Sequence, residues 1–134
     1  MVHNKSMIAA RVVFVLYLAA IIYLCFGHFD NLPSVRDDIF GIPTDKVVHF
    51  CMFFPFVTLS YFAAGMKLKS IWLTILLIAA LFILGAVIAA ATEIGQGLVG
   101  YRSMDPADFR ADTLSLTIGS VITLFIDIRR RLRK

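Results

Sequence analysis

The chain alternates long apolar runs with short polar intervals. Four runs stand out: 7–26, interrupted by Arg11 near its start, then 47–66, 71–91, and 114–128 with a polar lead-in. No run alternates apolar and polar residues with period two. Strands are therefore a poor description, and in lipid they would also leave backbone edges unpaired. A helix needs about 20 residues to cross the hydrocarbon of a bilayer. The first three runs meet that length, and the fourth does so if it starts near Phe109, which leaves Arg110 and Asp112 close to the interface. The pattern predicts an all-α integral membrane bundle of four transmembrane helices forming a single domain over 1–134, with no internal repeat and no low-complexity stretch.

The intervals refine this picture. Lys5 and Arg11 precede the first run as they would in a secretory leader, but the residues that follow it, Phe26-Gly27-His28-Phe29, offer no small-x-small cleavage site, so an uncleaved anchor is expected. The link 67–70 is so short that the second and third helices must form an antiparallel hairpin. Pro55 lies inside the second helix and should bend it. Gly85 and Ala89, Ala86 and Ala90, and Ser115 and Gly119 are small residues four apart, a spacing that lets membrane helices approach closely.

Composition agrees with lipid as the solvent: 60% of residues are hydrophobic and only 16% charged, with a mean hydropathy of +0.85, whereas soluble domains are nearer a quarter charged. The net charge of +4 does not point to nucleic acid, because five of the thirteen basic residues lie in the last six positions, directly after an apolar run. That placement suits topology signalling and anionic headgroups of the cytoplasmic leaflet. The N-terminal end, the 67–70 link and the tail together carry nine Lys and Arg, against four (Arg36, Lys46, Arg102, Arg110) in the other two loops. This asymmetry puts both termini in the cytoplasm. Eight of the nine acids fall on the opposite side, and only Asp127 is internal. Cys25 and Cys51 fit neither a metal-type spacing nor a disulfide framework and read as buried free thiols.

Folding this topology brings polar residues from distant segments to the outer ends of helices two, three and four. Asp45 and His49 are four apart on one helix face, as a proton-handling pair or half of a metal site would be. The structural alternative has Thr44 as N-cap, Asp45 favouring the helix N-terminus, and His49 at the membrane interface. Glu93 and Gln96 share a face near the end of the third helix, where a carboxylate opposes the helix dipole and needs a partner or water. Arg102 and Lys46 are its expected ion-pair partners. Asp105 reads as N-cap, Pro106 as the first helical residue, and Asp108 as the third-position acid of a capping arrangement. Asp108, Asp112, Ser115 and Gly119 form one stripe that should face protein or water. Asp112 lies beyond any cap, with Arg102 or Lys46 again the expected partner. No polar residue is expected at mid-bilayer depth, which argues against a transport path through one copy. No nucleophilic serine motif, phosphate-binding glycine loop or cysteine metal spacing is present, so no cofactor is indicated.

The opening Asp45-Lys46-x-x-His49-Phe50, the pair Glu93-x-x-Gln96, and Arg102-x-x-Asp105-x-x-Asp108 leading to Gly119, in this order and at helix ends, resemble the VanZ-like family over about 45–119. Asp112 stands where many relatives have Asn, and Ser115 where they have Gly. The resemblance implies a small multi-pass protein of a bacterial plasma membrane, and its founding member is linked to low-level resistance to teicoplanin. It carries over Asp45, Lys46, His49, Glu93, Gln96, Arg102, Asp105, Asp108 and Asp112 as binding positions. It supplies no reaction.

Three functions follow as expectations. The first is an envelope protein that recognises a lipid headgroup, a lipid-linked wall precursor or a glycopeptide-type drug, with Arg102 and Lys46 available for phosphate. The second is an intramembrane enzyme on a lipid-linked substrate, with Asp45, His49 and Glu93 as catalytic candidates, or with His49, Glu93 and Asp112 binding a divalent metal. The third is a structural or partner-binding protein whose charges fix helix register. An oligomer enclosing a path is compatible with each.

Overall fold

Four helical rods, each long and apolar enough to cross a membrane, make up almost all of the protein. The structure, a computed structural model, describes residues 2–27, 38–66, 68–99 and 104–133, with side chains from Lys5 onward. Helix α1 covers Val2–Phe26, α2 Thr44–Phe53, α3 Phe56–Ala64, α4 Ile71–Val99 and α5 Pro106–Leu132. The rods are α1, the α2–α3 pair, α4 and α5, so the predicted all-α membrane bundle is the observed architecture. The strands β1 (Asp38–Ile39) and β2 (Ile42–Pro43) form an exposed two-residue ribbon outside the spans. Its turn places Phe40 and Gly41 both at positive φ, and the Gly41 N–H bonds to Asp38 Oδ2 at 3.0 Å.

The second span is interrupted at Pro55, although Phe54 and Pro55 keep helical backbone angles and Thr44–Ala64 still reads as one span. Proline has no N–H to continue the ladder, so α2 stops at Phe53 and α3 restarts at Phe56. The Phe54 carbonyl at the break lies against Gly119 of α5, where a Cβ would stand 2.7 Å from that oxygen. At its far end α3 stops at Gly65, whose φ of 62° is the left-handed conformation that favours glycine. Arg11 Nε of α1 donates to the Ala63 carbonyl at 3.2 Å, satisfying a group the last helical turn leaves open.

In lipid, apolar side chains gain nothing by burial against one another rather than against acyl chains, so close packing and polar contacts must hold the rods together. The protein follows that logic. Leu16, Trp72, Leu76, Val87 and Val121 point outward, while the centre is built from Phe53, Phe56, Val57, Leu116 and Ala89. Gly85 and Ala89 are both buried in α4, and a Cβ on Gly85 would meet Leu116 and Phe56 side chains at 2.7–3.0 Å. Cys25 is buried as expected, but Cys51 lies on the exposed face of α2.

Two longer helices change the sequence picture. Helix α4 runs on to Val99, so Glu93 sits inside the helix rather than at its C-terminus, and the dipole objection to its charge falls away. Within the spans, the Thr58 and Thr123 hydroxyls bond across α3 and α5 at 2.9 Å, and Thr123 also donates to the Gly119 carbonyl. They are uncharged and satisfied within the bundle.

Candidate functional site

The N-terminal turns of α2 and α5 and the last turns of α4 meet at one end of the bundle. Helix α5 starts there because Asp105 is a true N-cap: its carboxylate accepts the Ala107 N–H at 2.8 Å, and Pro106 occupies the first helical position. The rest of the expected capping arrangement is not formed. The Asp105 N–H donates to Glu93 Oε2 at 3.2 Å, and Asp108 turns instead to Lys46. Thr44 is the first residue of α2 rather than its N-cap, which is Pro43.

Lys46 gathers three carboxylates. Its Nζ lies 2.7 Å from Asp105, 3.0 Å from Asp108 and 3.1 Å from Asp45. The Lys46 ammonium, helped by the Ala107 N–H, holds the Asp105 carboxyl below the usual carboxylate range. With its three donors taken in this way, Lys46 has little left for a phosphate.

His49 is the buried centre. Its Nδ1 lies 3.2 and 3.3 Å from the two Asp112 oxygens and 3.6 Å from Glu93 Oε1, and its Nε2 lies 3.7 Å from Asp108 Oδ2. No hydrogen bond or ion pair joins Asp45 to His49 among the described residues, so the expected pairing within α2 is replaced by carboxylates from α4 and α5. Neither Glu93 nor Asp112 pairs with Lys46. Asp112 is fully buried and Glu93 is 3% exposed. Glu93 Oε1 is buried with no hydrogen-bond partner among the described residues.

The nine binding candidates fall into three groups. Asp45, Lys46, His49, Glu93, Asp105, Asp108 and Asp112 form one connected cluster. Gln96 is buried but turns away: its Nε2 donates to the Cys25 carbonyl at 3.1 Å, tying α4 to the end of α1. Arg102 lies outside the described residues. The stripe from Asp108 through Asp112, Ser115 and Gly119 is buried as expected and continues to Thr123.

The opposite end holds a network that the charge pattern did not reveal. Asp127 accepts from the Tyr61 hydroxyl at 2.8 Å and from Arg131 Nε at 2.5 Å. Arg131 also donates to the Lys69 and Leu68 carbonyls and to Thr74 Oγ1. A basic tail residue is thus a clamp on the α3–α4 link. The spacing of Asp127 and Arg131, four apart on a helix, was the available signal. A hollow of about 890 Å³ opens beside this network, lined in part by Met7, Tyr61, Lys69, Asp127 and Arg130.

No protein-family model, curated protein or solved structure matches the chain.

Proposed function

We propose that this is a VanZ-like protein of a bacterial plasma membrane. In this proposal it binds the polar head of a membrane-resident amphiphile at its extracytoplasmic end. The observation that carries the proposal is the convergence of seven ionisable side chains from α2, α4 and α5, and the loop before α5, at the end of the bundle opposite the Arg131 clamp. Ionisable groups are expensive at membrane depth and tend to mark sites. Five carboxylates face one lysine and one imidazole among the described residues, so the cluster offers acceptors. Sugar hydroxyls or amines of a lipid headgroup, a lipid-linked wall precursor or a glycopeptide suit it better than a bare phosphate. Asp45 and Asp105, the two most exposed members, are the contact groups at the rim.

Native mass spectrometry of protein released from membranes tests this. The wild type is expected to retain a lipid or wall-precursor adduct, and the Asp45→Asn, Asp105→Asn double variant to lose it. Asn keeps the N-cap of α5, so the fold is preserved. Identical adducts on both proteins would overturn the proposal.

An intramembrane enzyme on a lipid-linked substrate is the second reading. It is favoured by the two ring nitrogens of His49, which face Asp112 and Asp108 on opposite sides as in an oriented acid–base group. Turnover lost in His49→Ala would separate it from simple binding.

A further inference from the structure

Among the described residues, the inner half of the cluster is short of positive charge. Lys46 serves the rim, and of the described cations only the His49 imidazole pairs with Glu93, Asp112 and one edge of Asp108. Glu93 Oε1 is the sharpest sign of this. Its side chain is more than nine-tenths buried, it has no hydrogen-bond partner among the described residues, and it points toward His49 Nδ1. A buried carboxylate oxygen loses its water and needs something in return. In a membrane bundle that need is greater.

The three donors lie close enough together to converge on one ion. One atom each from His49, Glu93 and Asp112 lies within 4.8 Å of the others. The separations from Nδ1 are 3.2 Å to Asp112 Oδ1 and 3.6 Å to Glu93 Oε1. A metal bonded at about 2.0–2.2 Å to nitrogen and oxygen holds neighbouring ligands ~3.0–3.5 Å apart. The donors come from three helices, α2, α4 and α5. The other ring nitrogen of His49 faces Asp108 Oδ2 at 3.7 Å, beyond hydrogen-bond length but on the side where a carboxylate orients a metal-bound imidazole.

We propose that His49 Nδ1, Glu93 Oε1 and the Asp112 carboxylate bind a divalent transition-metal ion at the outer end of the bundle. An imidazole with two carboxylates suits Zn²⁺ or Mn²⁺ over Mg²⁺ or Ca²⁺, which take oxygen ligands. Three protein ligands leave a coordination position open. The ion replaces the charge that Lys46 cannot supply, and it ties α2, α4 and α5 together. This goes beyond the amphiphile proposal and stands whether or not that proposal holds.

The test uses the full chain purified in detergent, stripped with chelator, and titrated with Zn²⁺ or Mn²⁺ alone. The expected result is about one ion per chain by elemental analysis and a rise in the thermal midpoint on addition. The Glu93→Gln and Asp112→Asn variants, nearly isosteric, should each bind about 10-fold or more weakly. Asp45→Asn should bind as the wild type does. Loss of metal in Glu93→Gln with lipid adducts intact, and the converse in the rim variant, read the two proposals separately. Should the inner variants fail to fold, Co²⁺ added to the stripped wild type decides: visible ligand-field bands support the site, and a spectrum identical to Co²⁺ in buffer overturns it. Wild-type protein that binds neither ion, or Glu93→Gln that binds as tightly as wild type, also overturns it.

Discussion

Gly119 shows how much one side chain decides in this bundle. It sits where the second span breaks, and a Cβ there would lie 2.7 Å from the Phe54 carbonyl oxygen, a backbone atom that cannot swing aside. Gly119→Ala is therefore expected to destabilise the protein by about 1–3 kcal/mol through overpacking. Reversible unfolding in a detergent–denaturant series would measure this, and an unchanged midpoint would show that α3 and α5 separate freely. Glu93 teaches the opposite lesson about a single position. Its carboxylate attracted notice in the sequence as a breach of the helix-dipole rule, yet α4 continues to Val99 and that reason disappears. The sounder reason is an oxygen buried without a partner, which no reading of neighbours along the chain can reveal.

Helix ends are where these elements hold one another. Arg11 caps α3, Gln96 caps α1, and Arg131 closes the α3–α4 link while pairing with Asp127. Arg131→Ala removes a cation from half-buried Asp127 and frees two carbonyls, and a loss of about 1–3 kcal/mol is expected. Asp127→Asn alone should cost less. A double-mutant cycle should show the two changes to be strongly non-additive, because they share one interaction. Strict additivity would mean that the Arg131–Asp127 pair itself contributes nothing. Helix start signals at α5 could be read directly, with Asp105 and Pro106 in their expected roles. At α2 they could not, since Pro43 holds the N-cap position without a side-chain bond and Thr44 is already helical.

The whole molecule is polarised, with carboxylates at one end and arginines at the other. If the positive end is cytoplasmic, a cysteine placed at Ser70 should react with an impermeant maleimide only after cells are opened. One placed at fully exposed Phe40, in the ribbon turn at the other end, should react in intact cells. Both are to be made in a background lacking Cys25 and Cys51. The reverse labelling would invert the molecule in its membrane and place the metal and amphiphile sites in the cytoplasm.

Hydropathy along the chain was enough to predict four spans, their antiparallel order and the separation of charge, because bilayer thickness and helix rise act on each segment independently. The small-residue positions of α4 and α5 were legible for a similar reason, since they recur with the helical period. Partner choice was not. His49 finds Asp112 sixty-three residues away and Lys46 finds Asp105 fifty-nine away, while the nearby pairing of Asp45 with His49 does not form. The break at Pro55, the Thr58–Thr123 bond and the Arg131 clamp likewise depend on how rods cross and slide, which contacts on several helices settle jointly. Local rules place an ionisable group at a given depth, and only the packed bundle decides which opposite charge, or which unmet oxygen, stands beside it.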